Sequence, residues 1–229
     1  MDVEKAEEWQ LNTQFATVSP YRLTAHLSSA LVIYMLLLWT GMGLIDKRRL
    51  ASTSAKTAAG MSRLWGVAHG AASFAGLTAF SGGFVAGNHA GLACNDWPFM
   101  GGKLIPDDLW DDKLGWKNLT ENLVTVQFDH RLLAYGTLAC TAATIAQARA
   151  LPLPPRARAA LHTVTALMTI QVSLGVATLW GGVPIELAAS HQSGSVAVLT
   201  AFLWLLHAIR SANPGYRLAT AAQGAAKAV

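Results

Sequence analysis

The stretch IQVSLGVATLWGGVPIELAASHQSGSVAVLTAFLWLLHAI, residues 170–209, decides the fold. Two apolar runs flank the tight Gly181-Gly182-Val183-Pro184 turn, so the segment reads as a helical hairpin. The second run, Ile185 to Ile209, is charged only at Glu186 and is long enough to cross the hydrocarbon of a bilayer, which takes roughly 20 residues. An imidazole, His191, lies a little under two turns inside that run.

Outward from this hairpin the pattern recurs. Runs at roughly 21–45, 64–85, 123–148 and 159–180 predict four more membrane helices. Ser19 and Pro20 cap and open the first, and Pro152, Pro154 and Pro155 stop the third. The Gly- and Ala-rich second run, with Gly82-Gly83, suits close helix packing rather than a phosphate cradle. The third begins with a polar cluster, Gln127, Asp129, His130 and Arg131. The expected fold is all-α, a polytopic membrane helix bundle with five transmembrane helices. Composition agrees: of 229 residues 52% are hydrophobic and only 13% charged, against about a quarter in ordinary soluble domains, which excludes a soluble or disordered chain.

The expected organisation is an acidic segment over 1–19, a helix over 20–45, a basic linker over 46–63, a four-helix bundle over 64–209 with an outer loop at 87–122, and a tail over 210–229. That loop mixes Asp96, Asp107, Asp108, Asp111 and Asp112 with Trp97, Trp110 and Trp116, as a wet segment anchored among headgroups would. The opposite side collects Lys47, Arg48, Arg49, Lys56, Arg63, Arg149, Arg156, Arg158 and Arg210 against the lone acid Asp46. The asymmetry puts the basic side in the cytoplasm or matrix and the N-terminus on the intermembrane or periplasmic side. Basic residues dispersed over short loops indicate topology, with no nucleic-acid partner. The start, MDVEKAEEWQ, is acidic where a cleavable presequence is basic. Cys94 and Cys140 are too few for a disulfide framework, and HExxH, CxxCH, GxGxxG and GxxxxGK motifs do not occur.

The histidines sort by depth. His130, His191 and His26 each lie about 10 Å inside a helix end on the loop side, at 1.5 Å rise per residue. Two imidazoles on facing helices can ligate one haem iron from both faces of the porphyrin. A ligand role explains a polar ring that is costly inside a bilayer; interhelical hydrogen bonding or a proton path would explain it too. Near the pair, Ser190, Gln192, Ser193 and Gly194 leave room for a flat macrocycle or bond its edge, and Arg131 can pair with a propionate. Asp129 pairs with Arg131, orients a ligand histidine, or is a plain headgroup-level charge. His69, His162 and His207 read as helix-end residues facing headgroups, and His89 as a surface residue of the loop. RLTAHLSSALV (22–32) echoes LAASHQSGSVAV (187–198), which would make the first helix the last of one four-helix repeat and the other four a complete second repeat.

YRLTAHLSSALVIY (21–34), FSGGFVAGNHAGLACNDWPFMGG (80–102), IPDDLW (105–110), ENLVTVQFDHRLLAYG (121–136) and IQVSLGVATLWGGVPIELAASHQSGS (170–195), in this order, resemble haem A synthase of the mitochondrial and alphaproteobacterial type, over about residues 15–210. The resemblance implies an eight-helix protein of two four-helix halves that oxidises the methyl group at pyrrole carbon 8 of haem O to the formyl group of haem A, for cytochrome oxidase. It implies a haem b held by the residues matching His130 and His191, haem O as substrate, and a catalytic, metal-binding role for His26 as the later member of the substrate-side histidine pair. The earlier histidine and the proposed catalytic glutamate belong to a family helix this chain does not carry, so the chain is expected to be the C-terminal five-helix portion, acting with a missing N-terminal fragment or as a homo-oligomer.

The implied partners are a ferredoxin-type electron donor, haem O synthase or cytochrome oxidase assembly factors, and the lipid bilayer; the implied place is the mitochondrial inner membrane, with a bacterial plasma membrane as the alternative. Competing readings are a b-type cytochrome, a haem-binding assembly factor without catalysis, and an unrelated transporter using intramembrane histidines.

Overall fold

The computed structural model describes residues 18–45 and 55–210. Six α-helices are present among them: α1 (Pro20–Ile45), α2 (Ala55–Gly87), the single-turn α3 (Asn118–Glu121), α4 (Leu123–Arg149), α5 (Pro155–Trp180) and α6 (Ile185–Ile209). Prolines set several starts, as their fixed φ and missing N–H allow: Pro20 and Pro155 open α1 and α5, and Pro184 precedes α6. Asn122 caps α4, its side-chain oxygen accepting from the backbone N–H of Val124 (2.9 Å) and of Thr125 (3.3 Å). α2 starts at Ala55, so the last part of the expected linker is helical, while the acidic segment up to residue 17, the linker over 46–54 and the tail from 211 lie outside the described residues.

The all-α bundle stands, but the expectation of five transmembrane helices does not. Among the described residues three helices, α1, α5 and α6, are long and apolar enough to cross a membrane. α2 is diluted by Gly, Ala and Ser. α4 buries Thr125, Gln127, Arg131, Thr137, Thr141 and Thr144. These two helices pack most extensively on each other, so polar residues that would suffer in lipid find protein partners instead. Thr78 and Thr137, hydroxyl to hydroxyl at 3.0 Å, tie them together.

α5 packs along α6 as α2 packs along α4, and α2 also meets α6. α4 touches α5 only lightly and makes no extensive contact with α6, so α4 and α6 stand diagonally across the bundle. The peripheral α1 leans on α2 and α6, fastened by Tyr34 Oη to Thr200 Oγ1 at 2.7 Å and by Tyr21 Oη donating to Glu121 Oε1 at 2.8 Å. Gly83 makes the α1–α2 approach close: a Cβ there would lie 3.0 Å from the Thr24 Cα.

The apolar core fills the half of the bundle away from the loop, with Leu64, Ala68, Leu161, Val164, Phe202 and Leu205 fully or almost fully buried. At the loop end the buried apolar cluster is small, Cys94, Met100 and Val124, and lies under the loop rather than between α4 and α6. The loose α4–α5 edge opens a cleft of about 370 Å³ lined by Leu138, Thr141, Ile145, Met168 and Val172 among others.

Candidate functional site

His130 on α4 and His191 on α6 project from the diagonal helices into the loop half of the bundle, near enough for a charge on one ring to be felt by the other. Each ring rests on a neighbouring helix at a glycine. A Cβ on Gly82 of α2 would meet His130 Cε1 at 3.2 Å, and a Cβ on Gly175 of α5 would meet His191 Cε1 at 2.9 Å. Both glycines lie five residues before the last residue of their helix, Gly87 in α2 and Trp180 in α5, so each ring stands in the loop half of the bundle.

The polar surroundings differ. His130 Nδ1 is 2.8 Å from Ser81 Oγ, and Ser81 donates its own proton to the Thr78 carbonyl at 2.9 Å. His191 Nδ1 is buried with no side-chain partner, and its ring meets the backbone of Gln171 on α5. Gln171 donates from Nε2 to the His191 carbonyl at 2.9 Å, and its Oε1 is likewise buried and unpartnered. Gly194 makes room for that amide, since a Cβ there would fall 2.1 Å from Oε1.

The loop caps this end through α4. Arg131, only 8% exposed, donates from Nη1 to the Phe99 carbonyl at 2.9 Å and from Nη2 to the Asp96 carbonyl at 2.8 Å, and Gln127 donates from Nε2 to the Cys94 carbonyl at 2.9 Å. Arg131, expected to pair with a propionate, is thus engaged in holding the loop, and only its Nε remains buried without a partner. Asp96 ties the same loop by accepting from the backbone N–H of Gly101 at 3.2 Å and of Gly102 at 3.1 Å. Burial pushes the Asp96 carboxyl up, but those two N–H groups and the Arg131 charge outweigh it and hold the group below its ordinary value. Burial, with Asp96 alongside, pushes the Cys94 thiol up, so it is poorly suited to react.

Of the residues expected at the site, His130 and His191 come together, and Arg131 lies one residue past the first of them, turned to the loop. Gln192 is exposed. His26 is exposed on α1, two residues from the buried Thr24 that faces α2, and is not part of the His130–His191 pair. Asp129 forms no ion pair with Arg131. His69 and His162 are exposed, and His207 is buried against Arg210 Nη1, which lies 2.6 Å from its Nδ1. Among the described residues no group of three or more His, Cys, Asp or Glu could hold a bare metal ion. A haem asks less of the protein, two ring nitrogens, and the pair of imidazoles on diagonal helices, each laid against a glycine, fits such a group. Sequence reasoning missed Ser81, Gln171 and Gly175. A glycine five residues from the end of a helix that neighbours a buried histidine was the available signal.

These features define an all-α membrane helix bundle with two imidazoles, His130 and His191, in its loop half. The chain belongs to the COX15-CtaA family of cytochrome oxidase assembly proteins, whose family model matches residues 7–203. Human "Heme A synthase COX15" is 46% identical over 196 residues, covering 84% of this chain and 46% of the human protein. The Arabidopsis thaliana protein of the same name is 40% identical over 197 residues, covering 86% of this chain and 43% of its own. "Heme A synthase" of Nitrosospira multiformis is 38% identical over 193 residues, covering 84% of this chain and 53% of its own. The chain therefore spans about half the length of the curated relatives it matches. No solved structure matches.

Proposed function

We propose that this chain is the C-terminal, haem b-holding part of a haem A synthase, contributing to oxidation of the haem O methyl group to the formyl group of haem A in the mitochondrial inner membrane. The observation that carries the reading is the His130–His191 pair, presented from diagonal helices, each ring against a glycine and near enough to feel the other's charge. When bound, a haem supplies one-electron redox chemistry that no side chain here offers. The protein's own work is to hold and exclude. His130 and His191 would offer ring nitrogens to the iron, Gly82 and Gly175 let the rings lie against helix backbone, and the loop fastened by Arg131 and Gln127 would keep water from that end.

On this reading His26 belongs to the substrate side, where haem O is oxidised with electrons from a ferredoxin-type donor. Its exposed position on α1 supports a site that further helices must enclose, from the same chain, a companion fragment or a second copy. The standing apart of His26 also favours a second reading, a b-type cytochrome or haem-binding assembly factor without catalysis.

A reduced-minus-oxidised spectrum of the purified protein, followed by chromatography of haem O incubated with reductant and oxygen, tests both. A b-type band with haem A formed supports the synthase reading; a band without conversion, even when the remaining family helices are supplied, supports the second. Absence of any band overturns both.

A further inference from the structure

His130 and His191 have alike shapes around them and unlike hydrogen bonds, and the difference is one residue. Immediately before Gly82 stands Ser81; immediately before Gly175 stands Leu174. The Ser81 hydroxyl has one proton, and the Thr78 carbonyl takes it. With that proton given away, Ser81 offers His130 a lone pair at 2.8 Å, which matches the ring tautomer that ligation through Nε2 needs, with the proton on Nδ1 and Nε2 bare. Thr78 is itself fixed, through its contact with Thr137 on α4, so the chain from carbonyl to hydroxyl to ring is anchored at both helices.

Resting on the haem-binding reading above, we infer that Ser81 is a positioning residue for the iron: it selects the Nδ1–H tautomer of His130, aims Nε2 into the bundle and, by accepting from Nδ1–H, raises the electron donation of that ring to the metal. His191 has no hydroxyl beside it, its ring meeting only the backbone of Gln171, and is the weaker donor of the two. A stronger donor favours ferric over ferrous iron, so the Ser81 hydroxyl lowers the reduction potential of the bound haem.

The test is redox titration with electron paramagnetic resonance on the haem-loaded, purified full chain, comparing wild type, Ser81→Ala and Ser81→Thr. The wild-type b-type band is read first, because its absence defeats the haem reading itself rather than this inference. With the band present, Ser81→Ala should favour ferrous over ferric binding about tenfold more than wild type, a rise in midpoint of about 59 mV for one electron, with a changed low-spin ferric signal. Ser81→Thr, which keeps the hydroxyl, should stay near wild type. Haem lost from Ser81→Ala but kept by Ser81→Thr supports the same assignment. Equal midpoints and signals in all three proteins, or equal haem loss in both variants, overturns it.

Discussion

The α2–α4 pair and the α5–α6 pair solve one problem in two ways. In each, a histidine from one helix lies over a glycine of the other, five residues from the end of that helix. In the first pair a serine hydroxyl then meets the ring; in the second no hydroxyl stands beside the ring, which meets the backbone of Gln171, while the Gln171 amide grips the backbone of the histidine. Backbone geometry is thus repeated while the side-chain hydrogen bonding is not. Close approach at glycine sets where an imidazole stands, and an independent side chain sets what it donates.

The largest expected effect breaks the comparison outright: His130→Ala and His191→Ala should each reduce haem occupancy to background in a pyridine haemochrome assay. Full retention in either would mean that its ring is no ligand.

Next come the glycines. Gly175→Ala should harm haem binding more than Gly82→Ala, because its Cβ would meet the ring at 2.9 Å rather than 3.2 Å and would approach three ring atoms rather than two. Overpacking of this kind costs about 1–3 kcal/mol, roughly 5- to 150-fold in affinity, measurable by haem titration. The reverse order would show that hydrogen bonding, not shape, positions His191.

Sharper still is Leu174→Ser, which gives the second pair the hydroxyl that the first has. It should lower the midpoint potential, by up to the tenfold preference expected of Ser81, and an unchanged potential would separate the two helix pairs more deeply than one residue.

How much of this was legible follows from the physics of each residue. The α6 bounds and the α5–α6 turn follow directly from apolar length and Pro184, while the pairing of His130 with His191 is what depth along a helix proposes and haem binding tests. The number of crossings did not follow. A run such as α4 looks like a span when its apolar residues are counted, but Gln127, Arg131 and a row of threonines turn inward to α2 and the loop, and periodicity does not reveal which neighbour will take them. Arg131 was legible only in part: a guanidinium near a predicted haem suggests a propionate, but the carbonyls of Asp96 and Phe99, which it also meets, lie 35 and 32 residues away in sequence and only the fold brings them to it. Ser81 and Gly175 were hidden because their roles exist only across a helix interface.

The smallest effect concerns the cap on this end of the bundle. Asp96 has its folded-state carboxyl below its ordinary value, so its contribution is present above that ordinary value and is lost as pH falls through the folded one. Asp96→Asn should remove most of this acid-dependent part. The loss, of at most about 1 kcal/mol given the exposure of the loop, is readable in acid titration of Trp97 fluorescence. An unaltered titration would assign the acid response of the loop to another group.

The central claim is that His130 and His191 clasp one iron between them, and electron paramagnetic resonance of the oxidised, haem-loaded protein tests it most directly. One haem per chain with a low-spin, two-imidazole ferric signal is predicted. A high-spin signal, or a low-spin signal that survives replacement of either histidine by alanine, would contradict it.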